Sequence, residues 1–192
     1  MIYKNKIFSE EEIKGKNFNK DSFVNCKFIN LNLRFVSFDV CEFKISNFSG
    51  SVFDIVSFTD CTFPESKLSN LDFSGCEIKR CNFSKAVIEN SIFQQLKNAG
   101  KGLRKKVNLT DSLFENTDLT DSIFVLCNLE KVSFRNSKLE KCVFEKCDLT
   151  QADFSGANIS GVNFEESKID KTLLDVNGFI AFGNSQGFIL GD

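Results

Sequence analysis

A large apolar residue returns at every fifth position of this chain, and few backbone conformations can use such a period. From Phe18, steps of five land on Phe23, Phe28, Leu33, Phe38, Phe43, Phe48, Phe53, Phe58, Phe63, Leu68, Phe73, Ile78, Phe83, Ile88 and Phe93. The frame then slips by one residue and resumes at Leu109, continuing through Phe114, Leu119, Phe124, Leu129, Phe134, Leu139, Phe144, Leu149, Phe154, Ile159, Phe164 and Ile169 to Leu174. Two residues before these sit smaller side chains, among them Cys26, Val36, Cys41, Ser51, Val56, Cys61, Ala86, Ser112, Val132, Ala152, Ala157 and Val162. The other three positions are mostly Asn, Asp, Ser, Lys, Glu or Gly. A helix repeats every 3.6 residues and a strand every 2, so neither explains a strict five. A chain that turns a corner every five residues does. The large and the small residue then point inward and the rest face water. Composition agrees: Phe occurs 23 times, Tyr and Pro once each, and Trp never.

Stretches such as Ala152-Asp153-Phe154-Ser155-Gly156-Ala157-Asn158-Ile159 resemble the pentapeptide-repeat family, A(D/N)LXX in its common form. The resemblance covers about residues 16–174. It implies a right-handed quadrilateral parallel β-helix with four repeats, or twenty residues, per coil. Residues twenty apart should then stack. Phe23, Phe43, Phe63 and Phe83 would form one column and Cys41, Cys61 and Cys81 another. Leu109, Leu129, Leu149 and Ile169 would form an aliphatic column, and Phe114, Phe134 and Phe154 an aromatic one. Like residues in register pack without voids. Seven to eight coils, ~4.8 Å apart, make a rod roughly 36 Å long.

The eight cysteines, at 26, 41, 61, 76, 81, 127, 142 and 147, all fall at the small inward position. They read as small buried hydrophobes rather than as a metal site or disulfide framework. Stacked cysteines come within disulfide Cα range, but parallel side chains give poor bonding geometry. The chain has no His, which removes the commonest general base and metal ligand together. No enzyme, metal or cofactor is expected. No signal-peptide core opens the chain and no apolar run is long enough to span a bilayer, so a cytoplasmic protein without membrane contact is expected. Asn-x-Ser triplets such as Asn47-Phe48-Ser49 arise from the repeat itself.

The expected organisation is a cap strand over 1–15, a first solenoid segment over 16–95, a loop insertion over 96–106, a second segment over 107–174 and a capping or dimerisation tail over 175–192. The insertion carries Lys97, Lys101, Arg104, Lys105 and Lys106 and no acid. It reads equally as a tolerated surface loop or a partner-contact loop, since insertions in solenoids often sit on the binding face. Its Gly-Lys-Gly lacks the spacing of a phosphate-binding loop. Residues 107–130 hold Asp111, Glu115, Asp118, Asp121 and Glu130 with no Lys or Arg. This acidic surface would serve solubility or be offered to a basic groove. The open ladder at each end needs covering. Phe8 and Ile13 can lie over the first coil, while Phe179, Ile180, Phe182, Phe188, Ile189 and Leu190 make a tail too apolar to hang free. A two-fold pairing of such tails is a common solution. Gly178, Gly183 and Gly187 argue against a helix there, because each mid-helix Gly costs ~1 kcal/mol.

Ser22-Phe23-Val24-Asn25-Cys26-Lys27-Phe28 after Lys6-Ile7, and Leu174-Asp175 followed by Gly187-Phe188-Ile189-Leu190-Gly191, resemble the opening and tail of the Qnr-type topoisomerase-protection group. That resemblance implies a homodimer joined at the C-termini, a rod with the size and charge of duplex DNA. Such a rod binds type II topoisomerase (DNA gyrase or topoisomerase IV), not nucleic acid, and protects it from quinolones or toxins. Two features depart from the group: a single, basic insertion, and a net charge of only -2. A non-enzymatic interaction scaffold with another partner is the alternative.

Overall fold

The structure, a computed structural model, describes residues 1–94 and 107–191. Its chain winds into a parallel β-solenoid of about seven turns. Each turn has four walls, numbered here in chain order. Wall 1 starts with the strands Ile2–Lys4, Ser22–Val24 and Glu42–Lys44 in parallel register. It continues as single bridges through Thr62, Asn82, Leu113, Ser133 and Asp153 to Leu173. Wall 2 is a run of bridges from Ile7 through Lys27, Asn47, Lys67, Val87, Asp118 and Lys138 to Asn158. Wall 3 pairs Asn32–Arg34 with Val52–Asp54, then Ile92–Phe93 with Ile123–Val125 and Val143–Glu145. Wall 4 stacks Asn17–Asn19, Ser37–Asp39, Val56–Thr59 and Cys76–Lys79, then Val107–Asn108 on Cys127–Asn128.

Corners explain why the period is five. Between residues 15 and 90, every fifth residue except Gly75 sits in the left-handed region, with φ between 49° and 71°. One such residue per repeat turns the chain by a quarter. Asn, Gly and unbranched polar residues hold most of these corners, as the sterics ask. Phe35, Val40, Ile45 and Ile55 hold the same conformation with bulky or β-branched side chains and lie exposed.

The expected columns form and join across the insertion. Tyr3, Phe23, Phe43, Phe63, Phe83, Phe114, Phe134 and Phe154 make one continuous stack, with ring centroids 4.8 to 5.3 Å apart. Each column also meets its neighbour edge-to-face, as Phe134 does Phe144 at 5.6 Å, the geometry aromatic quadrupoles favour. The step from Asn82 to Leu113 restores wall register after the inserted residues. The small positions named above are buried, except that Cys76, expected inward like the other cysteines, is only half-buried where its wall borders a surface groove. Their polar members stitch one coil to the next. The Ser46 hydroxyl donates to the Phe23 carbonyl at 3.0 Å and accepts the Cys26 N–H at 3.2 Å. Cys61 and Cys81 reach the Phe38 and Phe58 carbonyls, each at 3.4 Å. No disulfide joins the eight cysteines to one another, and among the described residues no buried side-chain nitrogen or oxygen lacks a partner.

Three expectations need correction. Residues 1–15 are not a strand laid over the first coil. Ile2–Lys4 is already its wall 1 strand, and Tyr3, Phe8 and Ile13 extend the five-residue period to the start of the chain. Only wall 3 is replaced there, by the short helix α1, Glu10–Ile13, closed by a Ser9–Glu12 capping box. The tail does contain a helix, α2, Val176–Ser185. Its glycines are used rather than tolerated. At Gly178 a Cβ would stand 3.1 Å from Leu174 Cδ2, so glycine lets the first turn close onto the last coil. Gly187, at φ 86°, ends the helix. Its N–H bonds the Asn184 carbonyl at 3.1 Å and the Phe188 N–H bonds Gly183 at 2.9 Å, the pairing of a left-handed C-terminal cap. Finally, Ile169 completes its column in sequence but is 52% exposed, because no further coil covers it.

Candidate functional site

Phe, Leu, Cys and Ser fill the interior of the described coils, and the candidate contacts lie on the outside and at the ends. At the C-terminal end, Asp175 caps α2. Its carboxylate accepts the N–H of Gly178 at 2.8 Å and of Gly156 at 2.9 Å, and these two donors hold its carboxyl below the usual range. One side of the helix then meets the last coil, with Ala181 and Phe182 packed on the core and the Phe182 ring 6.0 Å from Phe164. The other side stays open. Phe179 is exposed, and Phe188, Ile189 and Leu190 turn back beside it to border a groove of about 260 Å³ with Ile180 and Gly183. Ile189, at 92% exposure, is the most open large apolar side chain of the described chain. Leu173 and Val176 extend this apolar end. Of the six tail residues expected at an interface, Phe182 is turned inward, Ile180 is half-buried, and Phe179, Phe188, Ile189 and Leu190 face out.

The five acidic residues 111–130 do not gather. Asp111 lies at the corner after wall 4, Glu115 on wall 1, Asp118 on wall 2, Asp121 at the corner after wall 2, and Glu130 on wall 4. Three of them are also engaged. Asp118 pairs with Lys138 at 2.9 Å, one coil on. Burial pushes its carboxyl up, but the Lys138 ammonium and the Thr120 donors outweigh this and hold it below the usual range. Glu130 pairs with Lys131 at 3.0 Å, and Glu115 accepts from the Ser133 hydroxyl at 2.7 Å. Asp111 and Asp121 are exposed. Five-residue steps carry the chain around the rod, so acids that are neighbours in sequence face different directions.

The basic residues Lys97, Lys101, Arg104, Lys105 and Lys106 lie outside the described residues. Their segment leaves wall 3 after Gln94 and rejoins wall 4 at Val107, so it is attached at the edge between those walls. Along that edge, between coils two and four, runs a groove of about 600 Å³ bordered by Phe35, Ile55, Gly75 and Cys76. The repeat pattern gave no sign of it. The signals were present in the exceptions: a Leu at small position 71, and Phe and Ile at corners 35 and 55. Among the described residues, no cluster of three or more His, Cys, Asp or Glu is placed to hold a metal ion, and no helix is long and apolar enough to cross a membrane.

Two family profiles match the chain, a pentapeptide repeat region over residues 105–174 and pentapeptide repeats, in 8 copies, over residues 56–95. No curated protein sequence matches it. Among solved structures, full-length QnrB1, a plasmid-mediated fluoroquinolone resistance protein, aligns over 97% of both chains with a TM-score of 0.59 and 19% identity. HetL, a pentapeptide repeat protein involved in heterocyst differentiation regulation in the cyanobacterium Nostoc sp. strain PCC 7120, aligns over 91% of this chain and 87% of its own. Its TM-score is 0.50 at 11% identity. Likeness at these identities shows the fold alone.

Proposed function

The chain belongs to the pentapeptide-repeat family, and we propose that it is a dimeric, DNA-mimicking protein that binds a type II topoisomerase and protects it from quinolones or topoisomerase poisons. The observation that carries this reading is the match to full-length QnrB1, a fluoroquinolone resistance protein, over 97% of both chains. The apolar end around Phe179, Phe188, Ile189 and Leu190 supports the dimer. An open solenoid end that exposes such a surface is stabilised by a second copy covering it. In that pairing the segments after residue 107, which hold 7 basic and 13 acidic side chains up to Asp175, become neighbours at the middle of a longer rod. The rod works as a surface, without catalysis, cofactor or direct nucleic-acid contact, in the cytoplasm. The scattering of the acids shapes the reading: negative charge would be presented around the rod rather than as one patch, as it is on a duplex.

The test is a supercoiling assay with purified gyrase and a quinolone. Added protein should restore supercoiling, and Phe188→Asp with Ile189→Asp should abolish both rescue and dimer mass. Absence of rescue at a several-fold molar excess over enzyme would refute the reading. The likeness to HetL favours a second one, an interaction scaffold for another protein. It predicts a dimer or monomer of the same fold that leaves every topoisomerase assay unchanged.

A further inference from the structure

The ladders of the four walls are not equally continuous. Walls 1 and 2 are bridged at every coil they span. Wall 3 is interrupted between coils three and four: among the described residues no backbone hydrogen bond joins 51–55 to 71–75. On wall 4, one coil later, none among the described residues joins 76–80 to 107–111. The two gaps are adjacent and share one edge, the edge between walls 3 and 4 at coil four.

The residues there explain the first gap. At three other wall 3 small positions a donor bonds the coil before: Ser91 reaches the Leu68 carbonyl at 2.9 Å, Ser122 reaches Ile88 at 2.7 Å and Cys142 reaches Leu119 at 2.9 Å. Val162 has no donor and its wall stays bonded, the Asn163 N–H reaching the Cys142 carbonyl at 2.9 Å, so bulk at the small position matters as well as the missing donor. Coil four has Leu71 instead, fully inside and with nothing to donate. Its larger side chain displaces the wall. The Phe53 and Phe73 rings meet at 42° where the next pairs in that column stack at 7° and 2°. Gly75 abandons the left-handed corner and slides under the Phe53 carbonyl, where a Cβ would stand 2.1 Å from that oxygen. Contact replaces hydrogen bonding, and the groove of about 600 Å³ lies along the same edge.

We propose that the solenoid is hinged at coil four, with walls 1 and 2 as the continuous spine and the edge between walls 3 and 4 as the side that opens. Among the described residues wall 3 lacks backbone hydrogen bonds between coils three and four and wall 4 between coils four and five, while walls 1 and 2 are bridged at both levels, so the tube bends most easily about walls 1 and 2. Segments poor in backbone hydrogen bonds are the ones that open first, and hinge motions of this kind run in microseconds to milliseconds. The bend changes the curvature of the rod and moves Gln94 and Val107, the anchors of the insertion, which lie on this edge one coil further on. This inference does not depend on the identity of any partner.

The full-length protein is tested by electron–electron distance measurements between spin-labelled non-natural amino acids, which leave the native thiols untouched. One pair, at Val52 and Asn163, spans the gap along wall 3. The other, at Glu42 and Leu173, passes the same gap along wall 1 and is one coil longer. All four sites are exposed. The wall 3 pair should give a broad or double-peaked distribution and the wall 1 pair a narrow one. Leu71→Ser, which restores a donor at the small position, should narrow the wall 3 distribution. Equally narrow distributions in the unsubstituted protein overturn the proposal, whether or not Leu71→Ser folds.

Discussion

Phe134 gives the sharpest test of how the columns hold this rod together. Its ring has no exposed surface, stacks on Phe114 at 5.3 Å and Phe154 at 5.0 Å, and meets the edges of Phe124 at 6.1 Å and Phe144 at 5.6 Å. Phe134→Ala removes all four contacts. It also leaves a hole that the surrounding ladders hold open. Buried Phe→Ala changes cost about 3–5 kcal/mol, more where the site cannot collapse. Each aromatic pair adds about 0.5–1.5 kcal/mol beyond its area, so a loss near ~5 kcal/mol is expected. Phe164, in the last complete coil, is only half-buried and stacks on one side alone, on Phe144 at 5.6 Å. Phe164→Ala should cost nearer ~2 kcal/mol, the scale of a partly buried side chain. Urea unfolding followed by circular dichroism measures both, since the chain has no Trp and one Tyr. Repeat arrays couple only to nearest neighbours, so Phe134→Ala should also broaden the transition by separating the coils on either side. Equal costs for the two variants, or a loss under about 2 kcal/mol at Phe134, would refute the argument that columns, not ladders alone, supply the stability.

Other consequences are as direct. The donors on Asp175 depress its folded-state pKa, so its contribution is complete above the ordinary Asp value of about 3.9 and is lost as pH falls through the lower folded value. Helical circular dichroism should therefore fall in acid, and Asp175→Asn, whose side chain still accepts, should flatten that fall. Burial pushes the Cys142 thiol up to about 12, and six other cysteines are equally enclosed. At neutral pH a thiol-specific disulfide reagent should label at most the half-buried Cys76 until urea is added, and rapid native labelling of several thiols would contradict the packing. Gly75→Ala must move the Phe53 carbonyl, whereas a Cβ on Gly15 meets nothing within 4 Å. The first should lower the melting temperature well beyond the second, although Gly15 alone has positive φ. Ile55 is 66% exposed at a left-handed corner, a conformation that costs ordinary residues roughly 1–2 kcal/mol, so Ile55→Asn should raise stability measurably, and a drop would show that the side chain has a packing role.

What could be read in the sequence followed from the repeat, because the corner, the large inward residue and the small inward residue each leave their own mark every five positions. The columns could be written down from residues twenty apart, and the insertion appeared as a single slip of frame. What stayed hidden was carried by single residues that obey the period while breaking its chemistry. Leu71 is apolar and inward, so the pattern accepts it, yet it sits where, among the described residues, wall 3 has no backbone hydrogen bond to the coil before. Gly178 and Gly187 count against a helix on propensity alone, but close packing on Leu174 and a left-handed cap reverse both. The acids after residue 107 are the reverse case. They cluster in the sequence and separate in space, because each five-residue step turns the chain onto another wall.

That last point bears on how a rod of this kind can recognise anything. Residues twenty apart share a wall, so a partner lying along one wall reads every fourth repeat. On wall 2 such a partner meets Lys67, Val87, Asp118, Lys138 and Asn158 in succession, and the two opposite charges among them are already paired, Asp118 to Lys138. Stacked coils neutralise their own charges where acid sits over base, as Arg34 with Asp54 and Arg80 with Asp60 also do. A partner is therefore left with what stacking cannot cancel: the corners, the insertion, and the ends where no next coil exists. The apolar end at Phe179, Ile189 and Leu190 and the unstitched edge at Leu71 and Gly75 are both places where the repeat stops satisfying itself, and it is there that binding or bending has free energy to gain.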